Sequence, residues 1–317
     1  MTIGSTPEGD SAPKAPLSAE AVGVALRIGS TVAFAAMGGC IKALGDSVPL
    51  GEIVFFRSAV ALLPLVLFLH WTDAFPAGLA TSRPFGHVAR SLMGACAMFT
   101  SFATIRFLPL AEATLLSYLA PVMLVLLSWM LIGETLTWRR ILGVAFGLGG
   151  GAAFCLPAFS GNLTDGMLIG FAMGLLTALL TAGAFLQVRR LTLAGEKLGA
   201  IAFWFAVVSA LAGLSTLPWG WVVPDPHQAA LLVGAGLAGG AAHILMTLSF
   251  RHAEAAALAP FEYLSILWAM VVGMVFFAEI PNWTFLLAAP LILAGSVIAL
   301  PKGAIKLGRR RAPAAGV

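Results

Sequence analysis

Apolar stretches of roughly 20 residues recur along almost the whole chain, and a helix needs about that length to cross the hydrocarbon core of a bilayer. Only 10% of the residues are charged, against 60% hydrophobic, whereas soluble domains carry about 25% charged residues. Because backbone polar groups in lipid must bond to one another, the expected fold class is an all-α membrane protein. We predict ten transmembrane helices near residues 21–43, 50–71, 86–107, 109–132, 139–157, 167–188, 198–218, 229–250, 255–278 and 283–300.

The chain also contains a long internal repeat. Residues 106–141 read RFLPLAEATLLSYLAPVMLVLLSWMLIGETLTWRRI, and residues 251–286 read RHAEAAALAPFEYLSILWAMVVGMVFFAEIPNWTFL. An ungapped offset of 145 residues aligns Arg106 with Arg251, Tyr118 with Tyr263, Glu134 with Glu279 and Trp138 with Trp283. This period is far longer than a solenoid unit, so it indicates a duplicated half rather than an array.

Positively charged residues are unevenly distributed among the predicted loops. With the amino terminus in the cytoplasm, the loops on that side carry Arg83, Arg139, Arg140, Arg189, Arg190, Lys197 and Arg251. The opposite side receives Lys42 and Arg106, and the loops at 158–166 and 219–228 have neither Lys nor Arg. Because Lys and Arg favour cytoplasmic loops, we predict an inner-membrane protein with both termini in the cytoplasm. This distribution accounts for the net charge of +4 without nucleic-acid binding.

Five helices in each half make the second half enter the membrane inverted relative to the first. We predict one repeat at 21–157 and the other at 167–300, between a disordered tail at 1–20 and a basic tail at 301–317. Inverted repeats are typical of alternating-access transporters, which bind their substrates near the bilayer midplane between the repeats. The duplication therefore indicates a mechanism as well as a fold.

These features resemble the drug/metabolite transporter superfamily, and within it the ten-helix branch built from EamA domains. The resemblance includes the Gly133–Glu134 ending of the fourth helix, echoed by Ala278–Glu279. It implies two five-helix bundles around a central cavity, with the fifth and tenth helices at the contact of a possible homodimer. The segments TSRPFGHVAR at 81–90 and EAAALAPFEY at 254–263 are similar to S-adenosylmethionine uptake members.

Two charged residues are the main candidates for substrate binding. Arg57 lies inside the second predicted helix, where a charge at the bilayer centre costs roughly 2.5–3.5 kcal/mol and favours a polar cavity or a partner. The alternative is a structural arginine that pairs with a carboxylate such as Glu52. Glu262 follows Pro260 in the ninth helix, and a carboxylate beside a proline break could bind a cationic group or a proton. The alternative for Glu262 is a structural pair with a polar group of a neighbouring helix.

Further candidates for the cavity are aromatic or polar. Tyr118 and Tyr263 are the two tyrosines of the chain and occupy equivalent repeat positions. His243 can change its protonation state in the physiological range, although a neutral histidine bonded between helices is an alternative. The repeat counterparts of Glu262 and Arg57 are Ser117 and Trp204, the latter on an offset of 147 residues, and Trp268 is a further wall candidate.

These observations predict a secondary active transporter for a small polar or zwitterionic metabolite, such as an S-adenosylmethionine-like compound, an amino acid or a vitamin. A broad-specificity drug or metabolite exporter is the alternative. A membrane enzyme acting on lipid-linked substrates is disfavoured, because such enzymes usually need clustered carboxylates, histidines or a metal motif. The chain has no GxxxxGK[ST] motif for ATP, and we predict no cofactor and no metal site. The expected partners are the substrate and membrane lipid.

Overall fold

The computed structural model describes residues 19–71, 75–132, 137–153, 156, 164–253 and 255–299, so the predicted tails lie almost wholly outside the described residues. These ranges contain helices and no strands. The helices are α1 Ala19–Leu44, α2 Leu50–Trp71, α3 Pro84–Phe107, α4 Leu110–Ser117, α5 Ala120–Ile132, α6 Trp138–Ala153, α7 Asp165–Leu193, α8 Leu198–Leu214, α9 Pro226–His252, α10 Ala255–Glu262, α11 Leu264–Phe277 and α12 Trp283–Ala299.

Seven helical segments of the described residues are long and apolar enough to cross a membrane, counting Leu110–Leu131 and Pro260–Phe277 as one segment each. Leu198–Leu214 and Trp283–Ile298 are shorter apolar helices. The fold class is therefore confirmed as an all-α, multi-pass membrane protein. The count of ten spans and the inverted repeats remain predictions.

Two predicted spans differ from single continuous helices. The span at 109–132 is divided between α4 and α5, and the span at 255–278 is divided between α10 and α11. At the first division the amides of Tyr118 and Leu119 donate to carbonyls three residues earlier, which tightens the chain into a turn. The two divisions lie at Tyr118 and Tyr263, which are equivalent positions of the repeat.

Helices of the first half of the chain pack mainly against helices of the second half. The contact of α1 with α9 corresponds to that of α3 with α7, and the contact of α2 with α9 corresponds to that of α3 with α8. α2 also packs on α8, and α6 packs on α12, so these pairs join corresponding helices of the two halves. This pattern brings the start of the chain against its last third, and it positions α1, α4 and α10 around a common space.

Glycines allow α6 and α12 to approach at backbone distance. A Cβ atom built on Gly295 would lie 2.4 Å from the amide nitrogen of Gly147, and one on Gly150 would lie 2.8 Å from the amide nitrogen of Ile292. Small residues at such spacing let helices pack closely in lipid. The glycine faces of the predicted fifth and tenth helices therefore pack against each other within one chain, while the homodimer stays a prediction.

Gly295→Ala is expected to destabilise the protein by about 1–3 kcal/mol, because the new methyl group meets rigid backbone rather than a movable side chain. Gly149→Ala is the matched control, since a Cβ there has no neighbour within 4 Å and alanine favours a helix. Thermal unfolding in detergent measures both variants. Equal melting temperatures for the two variants would contradict the α6–α12 contact.

Candidate functional site

A cavity of about 240 Å³ lies between α1, α3, α4, α9, α10 and α11. Its apolar wall includes Phe34, Met37 and Ile105. Its polar groups come from both halves of the chain and are Arg27, Ser30, Thr31, Ser101, Thr114, Ser117, Tyr118, Glu262 and Ser265. A mostly apolar pocket with a few convergent polar groups is the usual form of a small-molecule site.

An ion pair between Arg27 and Glu262 lies on the wall of this cavity. The Arg27 Nη2 atom is 2.9 Å from a Glu262 carboxylate oxygen, and the two side chains are 5% and 52% exposed. The guanidinium also lies over the Phe250 ring, 5.4 Å from its centroid. The Nε and Nη1 atoms of Arg27 are buried without a hydrogen-bond partner among the described residues. The pair therefore joins a buried cation with unused donors to a carboxylate that is open to the cavity.

Tyr118 connects the two helix divisions beside this ion pair. Its hydroxyl donates to the carbonyl oxygen of Glu262 at 2.6 Å and lies 2.6 Å from the Ser265 hydroxyl. Its ring lies 5.3 Å from the Tyr263 ring, at a tilt of 41°. The last carbonyl groups of a helix have no partner within the helix. The Tyr118 hydroxyl supplies a partner for the last carbonyl of α10 and so links the turn after α4 to the end of α10.

Tyr118→Phe is expected to destabilise the folded protein by about 1–3 kcal/mol, because it leaves a carbonyl and a hydroxyl without their partner. Tyr263→Phe is the comparison, since the Tyr263 ring packs beside Tyr118 while the hydrogen bond to the last carbonyl of α10 comes from Tyr118. Thermal unfolding in detergent should show the larger fall for Tyr118→Phe. A larger fall for Tyr263→Phe would contradict the fastening role of Tyr118.

The structure brings three of the eight sequence-predicted site residues into the cavity wall. Ser117, Tyr118 and Glu262 line it, and Tyr263 lies behind Tyr118. His243 lies one layer further back, where its ring meets the cavity residue Phe34 edge to face at 5.1 Å.

The other three predicted residues lie away from the cavity wall. Arg57 is buried, at 6% exposure, beside α9. Trp204 donates its indole N–H to the carbonyl of Leu79 at 3.2 Å, in a loop turn. The indole nitrogen of Trp268 is buried without a partner among the described residues.

A second charged network lies beside the cavity, where it contacts the lining residues Ile105 and Leu110. Lys42 pairs with Glu279 and donates to the carbonyl of Leu108 at 2.8 Å. The Glu279 carboxylate also accepts the amide N–H of Leu110, at 2.8 Å. Ala278 adopts a φ of 53°, which ends α11 in a left-handed turn. This turn directs the chain back, so that Glu279 reaches the start of α4.

A third network joins two loops on the other side of the fold. The Glu196 carboxylate accepts hydrogen bonds from the Ser82 amide at 3.0 Å and from the Ser82 hydroxyl at 2.9 Å, and it lies 3.0 Å from His87 Nε2. The hydrogen bond from His87, together with those from Ser82, lowers the pKa of the Glu196 carboxyl to about 2. This carboxylate therefore stays ionised and holds the start of α3 against the loop before α8.

Sequence reasoning missed Arg27, although it is charged and lies within an apolar run like Arg57. Arg27 falls near the start of the predicted first helix, where a long side chain commonly extends to the membrane surface. The fold places it instead against α10. Lys42 and Glu279 were also missed as a pair, because each lies at a helix end and their contact depends on tertiary packing.

Comparison with known proteins supports the resemblance. Residues 21–154 match the EamA-like transporter family. The pseudopaline exporter CntI of Pseudomonas aeruginosa is 28% identical over 283 residues, which cover 88% of this chain and 96% of that protein. The S-adenosylmethionine uptake transporter of Rickettsia prowazekii is 26% identical over 262 residues, covering 81% and 84%.

Comparison with solved structures finds a protein of similar fold. A solved crystal structure matches with a TM-score of 0.59 and 20% sequence identity, covering 89% of this chain and 96% of its own. Both named relatives are transporters, so the alternative of a membrane enzyme has no support from them. Residues 21–154 match the EamA-like transporter family, in agreement with the resemblance to the drug/metabolite transporter superfamily.

Proposed function

We propose that this protein is a secondary active transporter that moves a small zwitterionic metabolite across the inner membrane by alternating access. In this proposal both termini are cytoplasmic and the two halves have opposite orientations. The substrate binds in the cavity between α1, α4 and α10. The proposal goes beyond membership of the superfamily, because it commits to a substrate class and a mechanism.

The Arg27–Glu262 pair is the observation that carries the proposal. Ionisable residues inside a membrane protein are costly, and they usually mark a substrate or ion pathway. Two buried donor atoms of Arg27 have no partner among the described residues, and half of the Glu262 side chain is exposed. A zwitterion satisfies both residues, because its carboxylate receives the Arg27 donors while its cationic group approaches Glu262.

The divided helices and the end networks support alternating access. Helices broken near the substrate site are common in transporters that contain inverted repeats. Here the break after α4 and the break after α10 meet at Tyr118. In this proposal the Lys42–Glu279 network closes the cavity at one end, so opening that end requires the pair to separate. If one end of the cavity closes when the other opens, the substrate site is accessible from each side of the membrane in turn.

The relatives support a metabolite as the substrate but differ in direction. One is named as an exporter and the other as an uptake transporter. Export of the same class of substrate is therefore the second candidate function. The direction follows from the coupling and from the gradients, rather than from the charge pair.

Transport into proteoliposomes tests the proposal. The purified full-length protein is reconstituted and supplied with labelled S-adenosylmethionine or with labelled amino acids, each with and without an imposed pH gradient. Accumulation that depends on the protein, and that unlabelled compound abolishes, supports the function. Empty-liposome rates for every probe overturn it for these classes. Counterflow from preloaded vesicles then distinguishes exchange from proton coupling.

A further inference from the structure

Two interior guanidinium groups, those of Arg57 in α2 and Arg90 in α3, are left out of the charged networks. The Arg57 side chain is buried and Arg90 is partly exposed. The Nε atom of Arg57 and the Nε and Nη1 atoms of Arg90 are buried without a hydrogen-bond partner among the described residues. None of the ion pairs among the described residues includes either arginine. Arginine stays charged in proteins, and buried charges are normally paired. The described interior thus holds two uncompensated positive charges.

No carboxylate among the described residues forms an ion pair with either arginine. Glu52, the partner considered for Arg57 from the sequence, is fully buried; its Oε2 atom accepts the amide N–H of Val222 at 3.1 Å, and its Oε1 atom has no hydrogen-bond partner among the described residues. Glu262 pairs with Arg27, and Glu279 pairs with Lys42. Because no described carboxylate pairs with Arg57 or Arg90, an anionic ligand is a suitable partner for them.

Arg57 lies against α9 at the turn that carries His243. A Cβ atom on Gly239 would be 3.1 Å from Arg57 Nε and 3.3 Å from Nη2. The Nδ1 atom of His243 lies 2.9 Å from the Gly239 carbonyl oxygen, and that geometry makes Nδ1 the donor, since a carbonyl only accepts. The guanidinium and the imidazole therefore share one stretch of α9.

Arg90 reaches the equivalent place in the other half of the chain. Gly94 corresponds to Gly239 in the repeat, and a Cβ on Gly94 would lie 2.6 Å from the Phe205 ring and 2.7 Å from Arg90 Nη1. Phe205 thus packs on Gly94 in the same way that Arg57 packs on Gly239. The Arg90 guanidinium stacks on the Phe205 ring, with its Cζ atom 4.1 Å from the ring centroid. By packing, the counterpart of Arg57 is Phe205 rather than Trp204. Both guanidiniums interact electrostatically with His243.

We propose that Arg57 and Arg90 form an anion-binding subsite that receives a carboxylate or phosphate group of the transported molecule. The inference rests on the proposed function and narrows the substrate to a molecule with an oxyanion. The planar guanidinium fork suits the bidentate binding of such groups. The subsite adjoins the cavity through Phe34, which contacts His243, and through Met37, whose sulfur would be 2.8 Å from a Cβ on Gly239. Methionine side chains adapt readily, so Met37 can move to admit the group.

Arg57→Met and Arg90→Met test the subsite in the purified full-length protein. Thermal unfolding is followed with inorganic phosphate, with succinate, or with chloride at the same ionic strength. We expect phosphate or succinate to raise the melting temperature of the wild-type protein. Each Met variant should be more stable than wild type in chloride, because an unpaired buried charge has been removed. It should bind the anion about tenfold more weakly or not at all.

Arg83→Met is the matched control, because Arg83 is exposed in the loop before α3, and it should keep the wild-type response. The anion that gives the larger shift identifies the preferred oxyanion. No shift in the wild-type protein, or Met variants that are less stable in chloride and keep the full shift, would overturn the subsite. This readout is independent of transport. If the protein binds the anion but transports no probe, the proposed function is wrong and the subsite stands. If it transports a probe but binds no anion, the subsite is wrong and the proposed function stands.

Discussion

Glu262→Gln is expected to reduce transport to about a hundredth of the wild-type rate or less, while the protein stays folded in detergent. The substitution keeps the shape of the side chain but leaves the Arg27 guanidinium, which is 5% exposed, without its counter-charge. The loss of this counter-charge weakens substrate binding at the site, and a loss of about 2.7 kcal/mol corresponds to a hundredfold change. The measurement is initial uptake of the labelled probe that the wild-type protein transports in proteoliposomes.

Glu20→Gln is the matched control, because Glu20 is an exposed carboxylate in the first turn of α1. It should transport at the wild-type rate. The double substitution Arg27→Met/Glu262→Gln restores charge balance, so we expect it to recover stability without recovering transport. A wild-type rate in Glu262→Gln alone would remove the ion pair from the transport site.

Lys42→Met is expected to have the second largest effect, opening the closed end of the cavity and lowering stability by about 3–5 kcal/mol. Lys42 and Glu279 are 14% and 16% exposed, so the remaining carboxylate is poorly solvated. The carbonyls of Ile105 and Leu108 also lose a donor, at 3.2 and 2.8 Å. A cysteine introduced at the cavity residue Ala113, in a background without the native cysteines, should react with a polar thiol reagent about tenfold faster.

Lys197→Met is the control for this prediction, because Lys197 is an exposed lysine in the loop before α8. Its melting temperature and its labelling rate at position 113 should match those of the parent. Lys42→Met/Glu279→Gln should regain part of the lost stability, since no unpaired charge remains. Unchanged labelling and an unchanged melting temperature in Lys42→Met would show that this network does not close the cavity.

The helices themselves follow closely from the sequence. The predicted span at 50–71 coincides with α2, Leu50–Trp71, and the span at 86–107 differs from α3 by its first two residues. Length and hydropathy are sufficient here, because a bilayer imposes the same requirement on each segment separately. The division at Tyr118 was not predicted, since the apolar pattern continues across it. In the ninth span the sequence predicted a break at Pro260, whereas the structure divides the helix three residues later, at Tyr263.

The site was only partly predictable. The sequence identified Glu262 and Tyr118 as polar groups in apolar helices, but not that one accepts from the other through its backbone carbonyl. It paired Arg57 with Glu52 as an alternative, whereas the fold directs Glu52 to Val222. Which side chains meet depends on the rotation of each helix and on its neighbours, and neither is encoded in a local pattern.

By itself, the sequence determined the fold class, most helix bounds and the transporter family, because hydrophobic length and a repeated motif are properties of single segments. The inversion of the halves and the cytoplasmic termini follow from loop charges and remain predictions. The tertiary structure alone decided that Arg27 meets Glu262, that Lys42 meets Glu279, and that Arg57 and Arg90 have no acidic partner among the described residues. Those outcomes depend on contacts between helices far apart in the chain, where packing selects one pairing from many.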